Sequence, residues 1–345
     1  MSTKRVSLLS VTLLLALVVA ACAPAAAPAT QAPVAQATQP PAVAATPTVP
    51  APACELQPGM PTVKDGDLGS ASNPIVMTFV PSGDVPTITK AGTEIADCLS
   101  KVTGLSYKIE IGTSYGASIE AMGAGKAQIG FLNTFSILLA QAKYDVVPVL
   151  VALRSYKGNL ENYYKGQFIA STTSGIKSLT DLKGKTFCFV EPNSTSGYII
   201  PRIVLKANGI DPDKDFTATQ NAGSHDNVAI AVYKGDCDAG TTFVDVRTDS
   251  APIKENYPDI LDKVDAFYIT DSIPNDGMQV VKDFPAALQD ATVNGMLFIA
   301  NDPGGKAMLR NLYSYRGLDK IEPTFYDEFR ALMEKAGVDP AEMVK

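Results

Sequence analysis

The chain has no tryptophan and a single histidine, His225, in 345 residues. Without tryptophan it lacks the broadest stacking surface for a large aromatic ligand. With one histidine, a zinc centre is not expected. No basic block follows Lys4 and Arg5, and 29 basic residues face 36 acidic ones, for a net charge of −7. Nucleic acid is therefore a poor partner. An acidic total does not exclude a small anion, because backbone and hydroxyl donors hold such groups locally. Charge is missing altogether from residues 23–53, "APAAAPATQAPVAQATQPPAVAATPTVPAPA". A stretch of that composition cannot bury a core and reads as an extended tether. The apolar run "VSLLSVTLLLALVVA" falls short of the roughly 20 residues of a membrane span.

What is present begins with that run. Lys4 and Arg5 precede it, and "VAAC" ending at Cys22 follows it. Basic residues, a short apolar region and small residues make a secretory signal over residues 1–21. Small residues before a cysteine resemble a bacterial lipobox, in which Cys22 is lipidated and becomes the first mature residue. The other reading is an ordinary cut after "ACA". Either way the chain leaves the cytoplasm, and the lipobox makes it a membrane-anchored lipoprotein facing outward. The tether is assigned to residues 22–72. Four further cysteines, Cys54, Cys98, Cys188 and Cys237, permit disulfides in an exported chain. Cys188 in "TFCFV" and Cys237 in "GDCDAG" are both strand-like and close in element order, which favours their pairing. Cys54–Cys98 would then pin the start of the domain to its first helix. The alternative is four buried thiols.

With 46% apolar residues the chain can build one large or two medium cores. From residue 75, short apolar runs alternate with amphipathic helices. "PIVMTFV", "YKIEIG", "AQIGFL" and "VVPVLVAL" read as strands, with helices between them. The alternation restarts at "GQFIAST" and runs through "KTFCFV", "CDAGTTFV" and "VDAFYIT". A helical stretch from "DFPAALQDATVNGMLFIAN" reaches the end. The pattern predicts an α/β fold of two lobes, each a mainly parallel sheet flanked by helices, with a ligand cleft between them. Lobe 1 takes residues 73–166 and 278–345, and lobe 2 takes residues 167–277. Ligands of open α/β sheets bind at strand carboxyl ends beside helix N-termini.

One such place is "EPNSTSGYII". Strand "KTFCFV" ends just before it and a helix starts near Gly197, so Ser194, Thr195 and Ser196 lie at a helix N-terminus. Free N–H groups and a dipole of about +0.5 charge favour an anion there, without a formal cation. A cap needs only one such residue. A second helix N-terminus carries Ser224 and His225 in "NAGSHDN"; the alternative there is a surface or capping histidine. Asp245 follows "TTFV" and Asp276 lies in "SIPNDG". Near an anion these acids fit only a ligand with a proton or an ammonium group; otherwise they are turn residues. Tyr115 opens a helix in "GTSYGAS", and Tyr163 and Tyr164 precede the strand "GQFIA". These tyrosines can cover core or close a cleft.

"EPNSTSGYIIP", "NAGSHDNVAIAVYKGDCDAG" and "SIPNDG", in that order, resemble the phosphonate/phosphite-type substrate-binding proteins of ABC importers over roughly residues 75–330. The resemblance implies a type II periplasmic-binding fold that holds a phosphorus oxyanion between its lobes and delivers it to a permease. It also implies a monomer with no cofactor and no enzyme activity. By that resemblance Ser194, Thr195, Ser196 and His225 hold the oxyanion, Tyr115 and Tyr164 touch it, and Asp276 is the family's acid of an "IPND" turn. Asp245 stands where aminoalkyl-phosphonate binders carry a glutamate for the ligand's ammonium, and is one methylene shorter. Other readings are the same fold with another ligand, such as phosphate, sulfonate or thiamine, and a serine hydrolase. The hydrolase lacks a Gly-x-Ser-x-Gly elbow and a familiar triad order.

Overall fold

The structure, a computed structural model, describes residues 50–343. The signal peptide, Cys22 and the tether up to residue 49 lie outside the described residues. The chain runs through strands β1 (Ile75–Phe79), β2 (Tyr107–Ile111), β3 (Ile129–Phe131), β4 (Val147–Tyr156), β5 (Asn159–Glu161), β6 (Tyr163–Ser171) and β7 (Thr186–Phe189). β8 (Ala218–Asn221), β9 (Ala239–Phe243), β10 (Val264–Pro274), β11 (Gly277–Val280) and β12 (Gly317–Lys320) follow. The longer helices of the first part are α1 (Val85–Thr103), α2 (Tyr115–Gly123), α3 (Thr134–Tyr144), α4 (Ile200–Ala207) and α5 (His225–Lys234). Three short helices come next: α6 (Val246–Asp249), α7 (Ala251–Asn256) and α8 (Ile260–Lys263). The chain closes with α9 (Ala286–Asn301), α10 (Pro303–Tyr313), α11 (Asp327–Lys335) and α12 (Pro340–Met343).

The strands form two sheets, each with its own half of the molecule. The first has the order β12-β4-β11-β3-β1-β2, with β5 on β4; the second has the order β10-β6-β9-β7-β8. β1 is buried at every position, as an apolar strand covered on both faces must be. The chain passes to the second sheet between β5 and β6 and returns between β10 and β11. Parallel pairs occur at β1–β2, β1–β3, β7–β8 and β7–β9. The strands on either side of the crossings, β4, β6, β10 and β11, pair antiparallel. Both sheets are therefore mixed where mainly parallel ones were expected. A crossing strand enters its new sheet against the direction set by the βα units. β12 also interrupts the stretch expected to be helical to the end, pairing with β4.

Local sequence accounts for the helix boundaries. Asp84, Ser114 and Ser224 cap α1, α2 and α5 by accepting from the N–H of Thr87, Ala117 and Asn227. Gly104 ends α1 with φ of 73°, the left-handed conformation that glycine adopts without strain.

Residues 54–72 are not tether. Gln57 N–H donates to the Val102 carbonyl at 2.9 Å and Ser106 N–H to that of Gly69 at 2.8 Å. Met60, Val63 and Leu68 pack on the core. Scattered apolar residues of this polar segment and the Cys54–Cys98 bond dock it on the first half. Both expected disulfides are formed, Cys54–Cys98 and Cys188–Cys237. The second joins residues 49 apart. Closing a loop of that length restricts the unfolded chain by about 4 kcal/mol in the chain-entropy model. Replacing Cys188 and Cys237 together by alanine should lower the unfolding free energy by about 2–4 kcal/mol. A urea titration with an unchanged midpoint and slope would refute this.

Candidate functional site

The two halves meet over a cavity of about 80 Å³. Tyr115, Tyr164, Ser194, Thr195, Ser196, His225 and Asp276 all line it. Seven of the eight residues singled out in the sequence are thus brought together. Asp245 is the exception: it is half-buried at the start of α6 and does not reach the cavity wall. Asp249, one helical turn on, lines the cavity in its place.

The three consecutive hydroxyls do different things. The helix opens with a wide turn of i→i+5 bonds over Thr195–Ile199, and Ser194 caps it by accepting from Gly197 N–H at 3.2 Å. The Thr195 hydroxyl, 1% exposed, accepts from Asn133 Nδ2 at 2.9 Å and from Phe135 N–H at 2.8 Å. Both donors belong to the first half, so this oxygen ties the halves together, and its own proton is left to donate. Ser196 lies beside Tyr164. Gly197 is required for close approach: a Cβ there would lie 2.2 Å from Val190 Cγ2.

His225 is held by its neighbours in one form. Its Nδ1 accepts from Phe243 N–H at 3.3 Å, which places the ring proton on Nε2, 3.4 Å from Ser194 Oγ. Burial, reinforced by Arg154, pushes its pKa down to about 3. The ring is therefore a neutral donor, not a cation. Its backbone N–H donates to the Ser82 carbonyl at 2.9 Å, a further tie between the halves. Tyr115 is fully buried and its hydroxyl has no partner in the protein. Burial, with Asp276 adding to it, raises the Tyr164 hydroxyl to about 12, so it too remains a donor. Strand alternation settles which tyrosine faces the site. Tyr164 points inward from β6, whereas Tyr163 turns to the other face and packs on Tyr156 at 6.3 Å.

Sequence reasoning missed Arg154. It lines the cavity at 6% exposure, near the end of β4. The site does contain a formal cation. Arg154 Nη2 contacts Asp276 Oδ1 at 3.4 Å, and Asp276 Oδ2 accepts from the Tyr315 hydroxyl at 2.8 Å. Burial opposes the arginine's charge, but Asp276, Tyr315 and Asp245 more than offset it and raise its pKa. The available signal was position: a lone charge closing the apolar strand "VVPVLVALR", at the strand end where α/β sheets bind ligands. Asn133 was missed in the same way, a lone amide between "GFL" and α3. Among the described residues no three metal-ligating side chains cluster.

The cavity wall is thus rich in donors: hydroxyls, a neutral imidazole N–H and a guanidinium, several of them buried without a partner. Two α/β halves closed over such a cavity define a binding protein of the periplasmic type. The family model described as ABC transporter, phosphonate, periplasmic substrate-binding protein matches residues 77–327, and the chain belongs to that family. It is a family of substrate-binding transport proteins rather than enzymes.

The chain is 28% identical over 175 residues to the phosphate-import protein PhnD of Mycolicibacterium smegmatis, covering 49% of this chain and 54% of that protein. It is 26% identical over 220 residues to the phosphonates-binding periplasmic protein of Escherichia coli K12, 62% of each. The aligned regions thus span less than two thirds of both curated relatives. The fold is shared with a crystallised binding protein component of an ABC phosphonate transporter from Pseudomonas aeruginosa, at TM-score 0.69 and 20% identity, over 76% of this chain and 86% of that one. It is also shared with PhnD1 of Prochlorococcus marinus in complex with methylphosphonate, at TM-score 0.66 and 19% identity, over 76% and 98%.

Two predictions follow from this geometry. Thr195→Val strands two buried donors of the first half, which costs about 1–3 kcal/mol in the closed form. Ligand affinity should fall about 10- to 100-fold, with Thr195→Ser close to wild type; equal loss in both variants in calorimetry would count against the bridge. The second concerns pH. Burial raises Asp226 to about 6, against about 3.9 in an unfolded chain, although Ser250 and the Asp84 N–H favour its ionised form. Its contribution to stability is full below about pH 4 and is lost as the pH rises through about 6. His225 acts oppositely: its contribution is present above about pH 6.5 and is lost as the pH falls towards about 3. Asp226→Asn should therefore steepen the loss of stability between pH 6.5 and 4, by about 3 kcal/mol over the range. Parallel melting-temperature profiles for the two proteins would overturn this.

Proposed function

We propose that this protein captures a phosphorus oxyanion, phosphonate or phosphite, between two lobes and hands it to an ABC permease in the membrane. Lobe 1 would comprise residues 54–162 and 277–345, and lobe 2 residues 163–276, bounds shifted from those expected because β6 and β11 begin earlier. In this reading the chain is exported, lipidated at Cys22, held at the outer face of the membrane by its tether, and monomeric. The observation that carries the reading is the convergence of buried donors, above all the unpartnered Tyr115 hydroxyl and the Nε and Nη1 of Arg154, on one small cavity. Ser194, Ser196 and the His225 Nε2–H add donors from the second lobe, and Thr195 can donate while it bridges. Each hydrogen bond to a charged group contributes about 1.5–3 kcal/mol, so several of them offset the anion's desolvation. The contacts of Thr195 with Asn133 and of His225 with Ser82 join the two lobes beside the cavity, so in this reading they couple capture to closure. Asp276 positions Arg154 instead of meeting the ligand alone. Phosphate is a second reading, favoured by the cationic Arg154 and by the likeness to the phosphate-import protein of Mycolicibacterium smegmatis.

Calorimetric titration of the purified full chain with phosphite, methylphosphonate, phosphate and sulfate tests this. Tight binding of a phosphorus anion, reduced at least about 100-fold in a Ser194→Ala/His225→Ala double variant, is expected. Binding indifferent to both substitutions, or preference for sulfate, would overturn the assignment.

A further inference from the structure

Arg154 is more than a counter-charge for the oxyanion. Its guanidinium carbon stands 5.4, 5.2 and 5.3 Å from the ring centres of Tyr164, Phe243 and Tyr315, and this aromatic cage fixes its position. One nitrogen is spent on Asp276. Nε and Nη1 are buried and have no acceptor. Arg154 lines the same cavity, of about 80 Å³, as Ser194, Ser196 and His225.

We propose that Arg154 forms a second subsite in this cavity that selects phosphonates whose tail ends in an acceptor oxygen, a hydroxyl or a carboxylate, and rejects tails ending in an ammonium. This rests on the oxyanion reading given above. An oxygen there accepts from Nε or Nη1 and satisfies a buried donor. An ammonium supplies only donors. It would sit beside a buried guanidinium, and Asp276 already receives Arg154 on one oxygen and Tyr315 on the other. Asp245 lies outside the cavity wall, and Asp249 is bound to Arg316, so neither offers a free carboxylate to a ligand cation.

The test is a calorimetric comparison of 2-hydroxyethylphosphonate, phosphonoacetate and 2-aminoethylphosphonate, which have tails of nearly equal length, on the purified full chain. At least one acceptor-tailed ligand should bind about tenfold or more tightly than the aminoethyl compound. Arg154→Met should bring that ratio to about one or invert it, because the cation that rejects the ammonium is gone. Where Arg154→Met does not fold by circular dichroism, the wild-type ranking decides. Equal or tighter binding of 2-aminoethylphosphonate by the wild type overturns the inference, as does a preference that survives in folded Arg154→Met. Failure of all three ligands, together with phosphite and methylphosphonate, overturns instead the oxyanion reading on which it rests.

Discussion

One hydroxyl group joins the two halves of this molecule where the ligand cavity lies. Thr195 accepts from Asn133 and from the N–H of Phe135, both at the start of α3. Asn133 also donates to the Asn193 carbonyl at 2.8 Å, so two helix N-termini, one from each half, face each other across these two oxygens. Each brings unpaired N–H groups and a positive dipole end, an arrangement that repels unless an acceptor lies between. The threonine oxygen supplies part of that acceptor, and an anion in the cavity would supply the rest. In the proposed function, closure and anion capture would then be one equilibrium, since each supplies what the other lacks.

The second constraint is that the groups around the cavity are held in donor form. His225 accepts a backbone N–H on Nδ1, so its proton sits on Nε2. Its burial prevents it from taking a second proton at ordinary pH. Tyr115 and Tyr164 are held protonated by burial. No proton has to move when an anion enters, so the donors are already organised for it. Arg154 keeps its charge because Asp276 and the aromatic rings around it compensate for the water it has lost.

Much of this was legible in the chain. Ser194, Thr195 and Ser196 exceed what a helix cap needs, and the excess marks the cavity. Ser224 announced the start of α5 because the chemistry of a cap is local. What was not legible depends on partners far away in sequence. A short apolar run states that a strand is buried, but not which neighbour it pairs with or in which direction. The antiparallel crossings and β12 followed from that gap. Arg154 reads in sequence as the point where β4 leaves the core for solvent. Only the arrival of Asp276, 122 residues later, turns that exit into a buried ion pair. Asp245 precedes α6 and Asp249 ends it, one turn further along, and only the second reaches the cavity wall.

The proposed anion site has a wall that includes Asp84, Asp226, Asp249 and Asp276, in a chain of net charge −7, and this needs an explanation. Each of these acids is committed. Asp84 accepts from the backbone N–H and hydroxyl of Thr87, and Asp226 from the N–H of Asp84. Asp249 pairs with Arg316, and Asp276 with Arg154 and Tyr315. Their lone pairs point at structural donors, so the donors left over face inward unopposed. Burial weakens the repulsion further, because it raises the pKa of Asp226 to about 6 and shortens the time it spends charged at mildly acidic pH. The charges elsewhere on the surface are screened over about 8 Å at physiological ionic strength. What an incoming anion meets is therefore set by a few oriented N–H and O–H groups within hydrogen-bonding distance, and the net charge of the chain says little about the sign of its ligand.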